Sequence, residues 1–139
     1  MVDLPQLWAE LESRWPESII DPSLTRIVSV MELLGDPQRA YPVIQVAGTN
    51  GKTSTARMIE SVLRAYGLRT GLFTSPHLVD ARERIRLDGE PVTAERLLDT
   101  WNDIEPYVRL VDKNSTDAGG VPLSYFEVIT SLALSLIHI

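Results

Sequence analysis

The feature that most constrains the fold is an apolar run that leads directly into a glycine-containing loop. Residues 42–47 (PVIQVA) are typical of a buried parallel strand, and the stretch GTNGKT at 48–53 follows at once. Apolar residues then recur at helical spacing over 56–66, and residues 70–74 form a second short strand. A strand, a helix and a strand within about thirty residues predict a βαβ unit with a right-handed crossover.

The glycine loop has the composition of a phosphate-binding site. A loop between a strand end and a helix start presents backbone N–H groups at the positive end of the helix dipole, which favours phosphate oxygens. Gly48 and Gly51 permit positive φ angles and a close approach of the backbone to a ligand. Lys52 can reach the terminal phosphates, and the hydroxyl of Thr53 or Ser54 suits a magnesium ion.

The loop departs from the commonest phosphate-binding pattern at one position. In G-x-x-x-x-G-K-[ST] the first glycine would fall at position 46, where the chain has Val46, so the match is to a narrower variant. The alternative is an ordinary glycine-containing turn between a strand and a helix. The strand and the helix that the phosphate loop requires are both predicted, which favours phosphate binding.

Composition and charge exclude several classes of function. The net charge of -6 disfavours a surface that coats nucleic acid or membrane, and the absence of cysteine excludes disulfides and thiolate metal sites. Residues 1–30 show no signal-peptide pattern, and the longest uncharged run, 128–139, is too short to cross a bilayer. The length suits one domain with a core, and we expect a cytoplasmic protein.

The flanking segments predict helices and one hairpin. A helix is expected over 4–15, and another enters at Ser23 as N-cap. Residues 84–87 alternate like a strand, and Asp88-Gly89 is a hairpin turn signal. A helix follows from residue 93, which Pro106 should bend or break, then a loop over 113–120 and a last apolar helix from about Pro122.

Three patches, in order along the chain, resemble one family. Residues 48–53 are similar to the nucleotide loop of the Mur-ligase superfamily, whose members are ATP-dependent, amide-bond-forming ligases. Residues 74–78 (TSPHL), the ERI at 83–85 with its hairpin, and residues 123–130 (LSYFEVIT) resemble folylpolyglutamate synthase and dihydrofolate synthase. The resemblance covers roughly residues 4–133. It implies an α/β fold, a P-loop-containing Mur-ligase-like ATP-binding domain with a parallel sheet flanked by helices, here truncated.

The resemblance also implies a set of site residues. ATP would be bound by Gly48, Thr49, Asn50, Gly51, Lys52, Thr53 and Ser54, with Lys52 as the catalytic residue. Mg²⁺ would be held by Ser75 together with Thr53 or Ser54. The pterin or folate would be lined by Asp21, Pro22, Ser23, Leu24, Ser124, Tyr125, Phe126 and Glu127. Residues 75–86 would form a mobile loop that joins the two sites.

The implied reaction adds L-glutamate to dihydropteroate, to folates, or to both in turn, in folate biosynthesis and one-carbon metabolism. Because a carboxylate is a poor electrophile, ATP first converts it to an acyl phosphate, and the amine of glutamate then displaces phosphate. Lys52 and magnesium would stabilise charge on the transferring group. The complete protein is expected to be a monomer.

Several of these residues also have plain structural interpretations. Tyr125 and Phe126 offer flat surfaces for stacking a pterin, but core packing explains Phe126 about equally well. Glu127 lies among apolar residues and needs a partner, which a pterin, a backbone N–H or an arginine would supply. His77 is expected either to lie near phosphate or to be a solvent-exposed or loop-bracing histidine. Arg82 and Arg86 are expected to face solvent.

Residues 134–139 (LSLIHI) have a second interpretation at the level of DNA. The string CTG TCT CTT ATA CAC ATC encodes them, and it matches the mosaic end used in transposon-based sequencing libraries. We therefore expect residues 1–133 to be the N-terminal part of the ATP-binding ligase domain and 134–139 to be translated adapter. The alternative is a natural apolar helix end. The rest of the ATP-binding domain, with an acidic and a histidine magnesium ligand and a carbamylated lysine, and the C-terminal domain would then be missing.

Two other functions remain open at this stage. The first is another Mur-type ligase that acts on a cell-wall precursor, against which the SPHL segment argues. The second is a non-catalytic nucleotide-binding module. As a fragment, the chain is expected to be marginally stable, prone to aggregation and inactive alone.

Overall fold

The protein is described by a computed structural model that covers residues 2–16, 23–75 and 80–138. Its chain forms two compact units, which we call the helical unit (residues 1–41 and 95–139) and the glycine-loop unit (residues 42–94). The helices are α1 (Leu4–Glu12), α2 (Thr25–Leu33), α3 (Lys52–Ala65), α4 (Ala94–Asp117) and α5 (Tyr125–His138). The strands are β1 (Gly71–Phe73), β2 (Ile85–Leu87) and β3 (Glu90–Pro91), and short 3-10 turns cover Pro37–Arg39 and Ala81–Arg84.

The core of the helical unit forms because each of its helices carries one apolar face. Along α4, Leu97, Trp101, Ile104 and Val108 recur every three or four residues, and each is at most 2% exposed. Full burial of such a side chain stabilises the fold by about 1.5–3 kcal/mol. The apolar faces of α1, α2 and α5 supply the other buried side chains, which include Leu7, Leu11, Val30, Ile129 and Leu132.

Helix α4 is longer and more regular than its sequence predicts. Pro106 lies inside Ala94–Asp117 without ending the helix, and Ile104 and Val108 on either side of it are both buried. The loop expected over 113–120 is helical as far as Asp117, and Lys113 pairs with Asp117 at 2.8 Å in this last turn. Such a pair between residues four apart supports a helical turn.

The other helices begin and end close to the predicted positions. Helix α1 starts at a capping box formed by Asp3 and Gln6 and ends at Glu12, some residues before Pro16. Helix α2 starts at Thr25, whose N–H donates to Ser23 Oγ at 3.2 Å. The N-cap predicted at Ser23 is nevertheless wrong by one residue, because the N-cap is Leu24 and no side-chain hydrogen bond from it caps the helix.

The sheet of the glycine-loop unit is a three-stranded antiparallel meander. Strand β2 pairs with β1 in the register Gly71↔Leu87 and with β3 in the register Leu87↔Glu90. The β2–β3 turn places Asp88 at φ 51° and Gly89 at φ 86°, the two positive angles that a type I′ hairpin requires. The hairpin predicted at Asp88-Gly89 is confirmed.

The parallel pairing expected between residues 42–47 and 70–74 is not formed within the described residues. Residues 42–47 carry no strand ladder, and Val43 and Ile44 are 63% and 62% exposed. A parallel strand is stable when neighbouring strands and helices cover it. Here β1 pairs with β2 in the antiparallel sense, and the apolar run 42–47 keeps an open face.

This open segment leads us to expect that the 139-residue chain self-associates as its concentration rises. Unpaired backbone groups beside exposed apolar side chains template pairing with another chain. We predict that Ile44→Lys raises the monomer fraction in sedimentation velocity. Leu110→Lys is the control, because Leu110 is 45% exposed but lies on α4, where the backbone bonds are made within the helix. An equal gain from both variants, or a wild-type chain that stays monomeric, contradicts the assignment.

Candidate functional site

The backbone of the glycine loop takes up conformations that require glycine. Gly48 has φ 149° and Gly51 has φ 74°, both in the region that L side chains rarely adopt. A Cβ added at either position meets no atom within 4 Å. Backbone conformation, rather than crowding by neighbours, therefore explains the two glycines, and the space beside the loop is open.

The N-terminus of α3 is left without a side-chain cap. Gly51 is the N-cap residue, no side-chain hydrogen bond caps the helix, and its first turn has no acidic residue. Lys52 and Ser54 are exposed and Thr53 is half-buried. The first N–H groups of a helix have no acceptor within the helix, and the helix dipole makes this end positive. Both effects favour an anion, and Lys52 adds positive charge at the same place.

One carboxylate ties the phosphate-loop helix to the strand that follows it. Glu60 on α3 is 8% exposed, and its Oε1 accepts hydrogen bonds from Arg64 Nε at 2.9 Å and Thr70 Oγ1 at 2.7 Å. The hydrogen bond from Arg64 lowers the pKa of Glu60 below its ordinary value, against the opposing effect of burial. Because Thr70 directly precedes β1, the same carboxylate also holds the segment that leads to Ser75.

Hydrogen bonds and an ion pair brace the segment from Asp80 to Arg86. Asp80 and Glu83 form a capping box on the turn Ala81–Arg84, and Arg82 pairs with Asp80 at 2.9 Å. Arg86 NH1 donates to Gly89 O at 3.1 Å. The expectation that Arg82 and Arg86 only face solvent is therefore wrong, since each binds an oxygen of its own unit. Residues 76–79, which include His77, and the candidate residues Asp21 and Pro22 lie outside the described residues.

The donors present fit a magnesium ion only in company with a phosphate ligand. Within residues 2–16, 23–75 and 80–138, no three His, Cys, Asp or Glu side chains cluster as a metal site. The candidate donors are the hydroxyls of Thr53, Ser54 and Ser75. Magnesium keeps several waters and takes few protein ligands where phosphates supply the rest. Hydroxyl donors beside a phosphate loop suit that arrangement.

The candidate pterin residues of α5 form a capping box. Ser124 Oγ accepts the N–H of Glu127 at 3.1 Å, and Glu127 Oε1 accepts the N–H of Ser124 at 3.1 Å. Arg26 Nε donates to the same Oε1 at 3.0 Å. Of the partners considered for Glu127, an arginine and a backbone N–H are thus both present. The pattern S-x-x-E before an apolar run was the sequence signal for this box, but no local signal pointed to Arg26.

Within the helical unit, one ion pair links the two helices that lie beside the described pterin candidates. The Arg26–Glu127 ion pair joins the first turn of α2, just after Ser23 and Leu24, to the first turn of α5. Leu24 is 75% exposed and Phe126 is 38% exposed, so core packing does not account fully for Phe126. The described pterin candidates therefore lie in the helical unit, whereas the nucleotide and metal candidates lie in the glycine-loop unit.

Comparison with known proteins gives consistent relatives. No family model matches the chain. The dihydrofolate synthase/folylpolyglutamate synthase of Mycobacterium tuberculosis is 51% identical over 128 residues, which cover 90% of this chain and 26% of that protein. The protein of the same name from Bacillus subtilis is 36% identical over 114 residues, 82% of this chain and 26% of that protein. The chain thus spans about a quarter of the length of these relatives.

Solved structures agree in fold. Mycobacterium tuberculosis folylpolyglutamate synthase complexed with ADP has a TM-score of 0.90 and 47% identity, over 97% of this chain and 29% of that one. A bifunctional folylpolyglutamate synthase/dihydrofolate synthase with Mn, AMPPNP and L-glutamate bound has a TM-score of 0.77 and 32% identity, over 99% of this chain and 30% of that one.

The similarity to these structures first defines the fold class, which is an α/β, Mur-ligase-like ATP-binding fold. The predicted fold class is therefore confirmed. Within that class, the chain belongs to the folylpolyglutamate synthase and dihydrofolate synthase family. Among the described residues, no helix is long and apolar enough to cross a membrane.

The lowered pKa of Glu60 makes its contribution to stability depend on pH. A carboxyl whose pKa is lower in the folded state stabilises the fold above its unfolded value of about 4.5, and this contribution is lost as the pH falls through the folded pKa. We predict that Glu60→Gln lowers the free energy of unfolding at pH 7 by about 1 kcal/mol, the usual net worth of a hydrogen bond. The variant should also lose less stability between pH 5 and pH 3, a range of about two units around the unfolded value.

Urea unfolding at each pH measures this effect. Glu32→Gln serves as the control, because Glu32 is an exposed glutamate on α2 and its loss changes the net charge by the same amount. An equal loss of stability for wild type and Glu60→Gln across the acid range would show that the contacts of Glu60 do not lower its pKa.

Proposed function

We propose that this chain is part of an ATP-dependent ligase that joins L-glutamate to dihydropteroate or to a folate. The observation that carries the proposal is the glycine loop, whose positive-φ glycines open an uncapped helix that begins at Lys52. The proposal draws further support from relatives named dihydrofolate synthase/folylpolyglutamate synthase, one of them 51% identical to this chain.

The proposed reaction proceeds in two steps. A carboxylate oxygen of the pterin substrate attacks the γ-phosphorus of ATP, and ADP leaves, which yields an acyl phosphate. The amine of glutamate then attacks the acyl carbon, phosphate leaves, and the nitrogen loses a proton as the amide forms. Lys52 and the N–H groups of the loop hold the phosphates and offset charge on the transferring group.

The metal in this proposal is magnesium, held with ATP by the hydroxyls of Thr53, Ser54 and Ser75. It supplies Lewis-acid stabilisation of the phosphate oxygens when bound. A solved relative carries Mn with AMPPNP and L-glutamate, which supports a divalent cation beside the nucleotide. In the helical unit, residues 21–24 and 124–127 are proposed to hold the pterin between an apolar surface and the Glu127 carboxylate.

The role of Lys52 is tested in the complete protein encoded by the intact gene. We predict that Lys52→Ala lowers ATP-dependent incorporation of labelled glutamate into dihydropteroate or folate by about a hundredfold or more. Lys113→Ala is a matched control, because Lys113 pairs with Asp117 on α4 in the other unit. Activity that survives Lys52→Ala at the level of the control removes the catalytic role from the loop.

The same protein separates the other two functions. Protection against heat by dihydropteroate or a folate supports the proposed ligase, whereas protection by a UDP-sugar peptide favours a ligase of cell-wall precursors. ATP binding without glutamate incorporation on any of these substrates favours a nucleotide-binding module. We further propose that the complete protein is a cytoplasmic monomer.

We also propose that residues 134–139 are translated from a sequencing adapter rather than from the gene. The match in DNA over these six codons is the observation that supports this proposal. The source DNA can be amplified with gene-specific primers and sequenced without transposon tagging. This sequence should contain different codons after codon 133. The same codons in that read would show that Ser135 is native.

A further inference from the structure

Arg26 is placed where helix electrostatics alone do not favour a cation. It is the second residue of α2, at the positive end of the helix dipole, and it is only 7% exposed. Its Nε binds Glu127 Oε1 at 3.0 Å, and the two side chains are 8% and 12% exposed. Since burying such a pair costs about as much desolvation energy as the attraction returns, its value for stability is small.

Only one of the two oxygens of the Glu127 carboxylate accepts hydrogen bonds among the described residues. Glu127 Oε1 accepts from Arg26 Nε and from the N–H of Ser124, whereas Oε2 is buried and has no hydrogen-bond partner among the described residues. Leaving a buried carboxylate oxygen without a donor is costly unless a ligand supplies one. A heterocycle with adjacent N–H donors, such as the aminopyrimidine half of a pterin, has the donors that this oxygen lacks.

Arg26 also contacts the residue that holds the backbone leading into α5. Its Cζ lies 5.4 Å from the centroid of the Trp15 ring, a cation–π distance. Trp15 Nε1 donates to Pro122 O at 2.7 Å, and Trp15 O accepts the N–H of Tyr125 at 3.1 Å. The guanidinium of Arg26 therefore interacts with the Ser124–Glu127 segment in two ways. It pairs directly with the Glu127 carboxylate, and it contacts Trp15, which binds the backbone of this segment.

We propose that Arg26 is a positioning residue for the pterin, and this inference rests on the proposed function. Its ion pair fixes one oxygen of Glu127 so that the other accepts hydrogen bonds from the N–H groups of the heterocycle. Its contact with Trp15 sets the position of the Tyr125 backbone beside the same ligand. Arg26 itself touches no reacting atom in this scheme.

The test compares two ligands in the complete enzyme. In the Arg26→Met variant, both the Kd and the KM for dihydropteroate should rise about tenfold or more. A change of this size corresponds to the loss of one or two hydrogen bonds to a charged group. The KM for ATP should stay within about twofold. Arg26→Lys, which keeps the charge but loses the planar fork, should recover part of the affinity.

Arg109→Met is the matched control. Arg109 pairs with Glu10 at 2.7 Å and lies 5.9 Å from the Trp101 ring, so it has an ion pair and a cation–π contact in the same unit but none with residues 124–127. It should lower the melting temperature and leave the Kd for dihydropteroate unchanged. If Arg26→Met behaves in the same way, or raises the KM for ATP as much as that for the pterin, the positioning role is wrong.

A second variant covers the case in which Arg26→Met does not fold. Glu127→Gln keeps the size of the side chain and an oxygen for Arg26, but places an NH₂ donor where Oε2 lies. It should fold and lose at least as much dihydropteroate affinity as Arg26→Met. An unchanged Kd overturns the inference. A wild-type enzyme that incorporates no glutamate overturns the proposed function instead, so the two failures are distinguishable.

Discussion

The helical unit depends on the way Arg14 joins three separate segments. Its guanidinium binds both oxygens of Asp112 on α4, at 3.2 and 2.8 Å, as well as Glu10 on α1 and the carbonyl of Leu123. Asp112 Oδ1 also accepts the N–H of Leu123 at 2.8 Å. The chain leading into α5 is thus held through its own donor and acceptor, which a buried backbone segment outside regular structure requires. The apolar faces of the helices supply most of the stability, and Arg14 holds the segment that leads into α5.

How much of this was predictable depends on whether the geometry is encoded locally. Asp88-Gly89 and Gly51 were predicted because a positive φ restricts the residue at a single position, whatever its surroundings. The strand predicted over residues 42–47 was different. An apolar segment indicates a preference for burial, but a strand forms only when another strand pairs with it. The Arg26–Glu127 pair joins residues 101 positions apart, and no local pattern reveals such a contact.

The two parts of the candidate site also differ in how far the local sequence encodes them. The glycine loop was visible in sequence because its chemistry lies within residues 48–54, where backbone geometry, dipole and lysine act together. For the pterin segments the sequence suggested aromatic and acidic side chains but not what holds them. The structure adds a capping box between Ser124 and Glu127, which explains part of that motif by helix formation alone. A role in ligand binding must therefore rest on the atoms that capping does not use.

A comparison of Arg14 with Arg26, both of them buried, shows which atoms those are. Around Arg14 both oxygens of Asp112 accept hydrogen bonds, from the guanidinium and from the N–H of Leu123, so neither oxygen lacks a donor. Around Arg26 one oxygen of Glu127 serves the fold and the other has no partner among the described residues. A buried unpaired oxygen alone is weak grounds for a site, since Ser135 Oγ is also unpaired. What distinguishes Glu127 is the exposed apolar surface of the adjacent Phe126, which a flat heterocycle with N–H donors would match in both shape and hydrogen bonding.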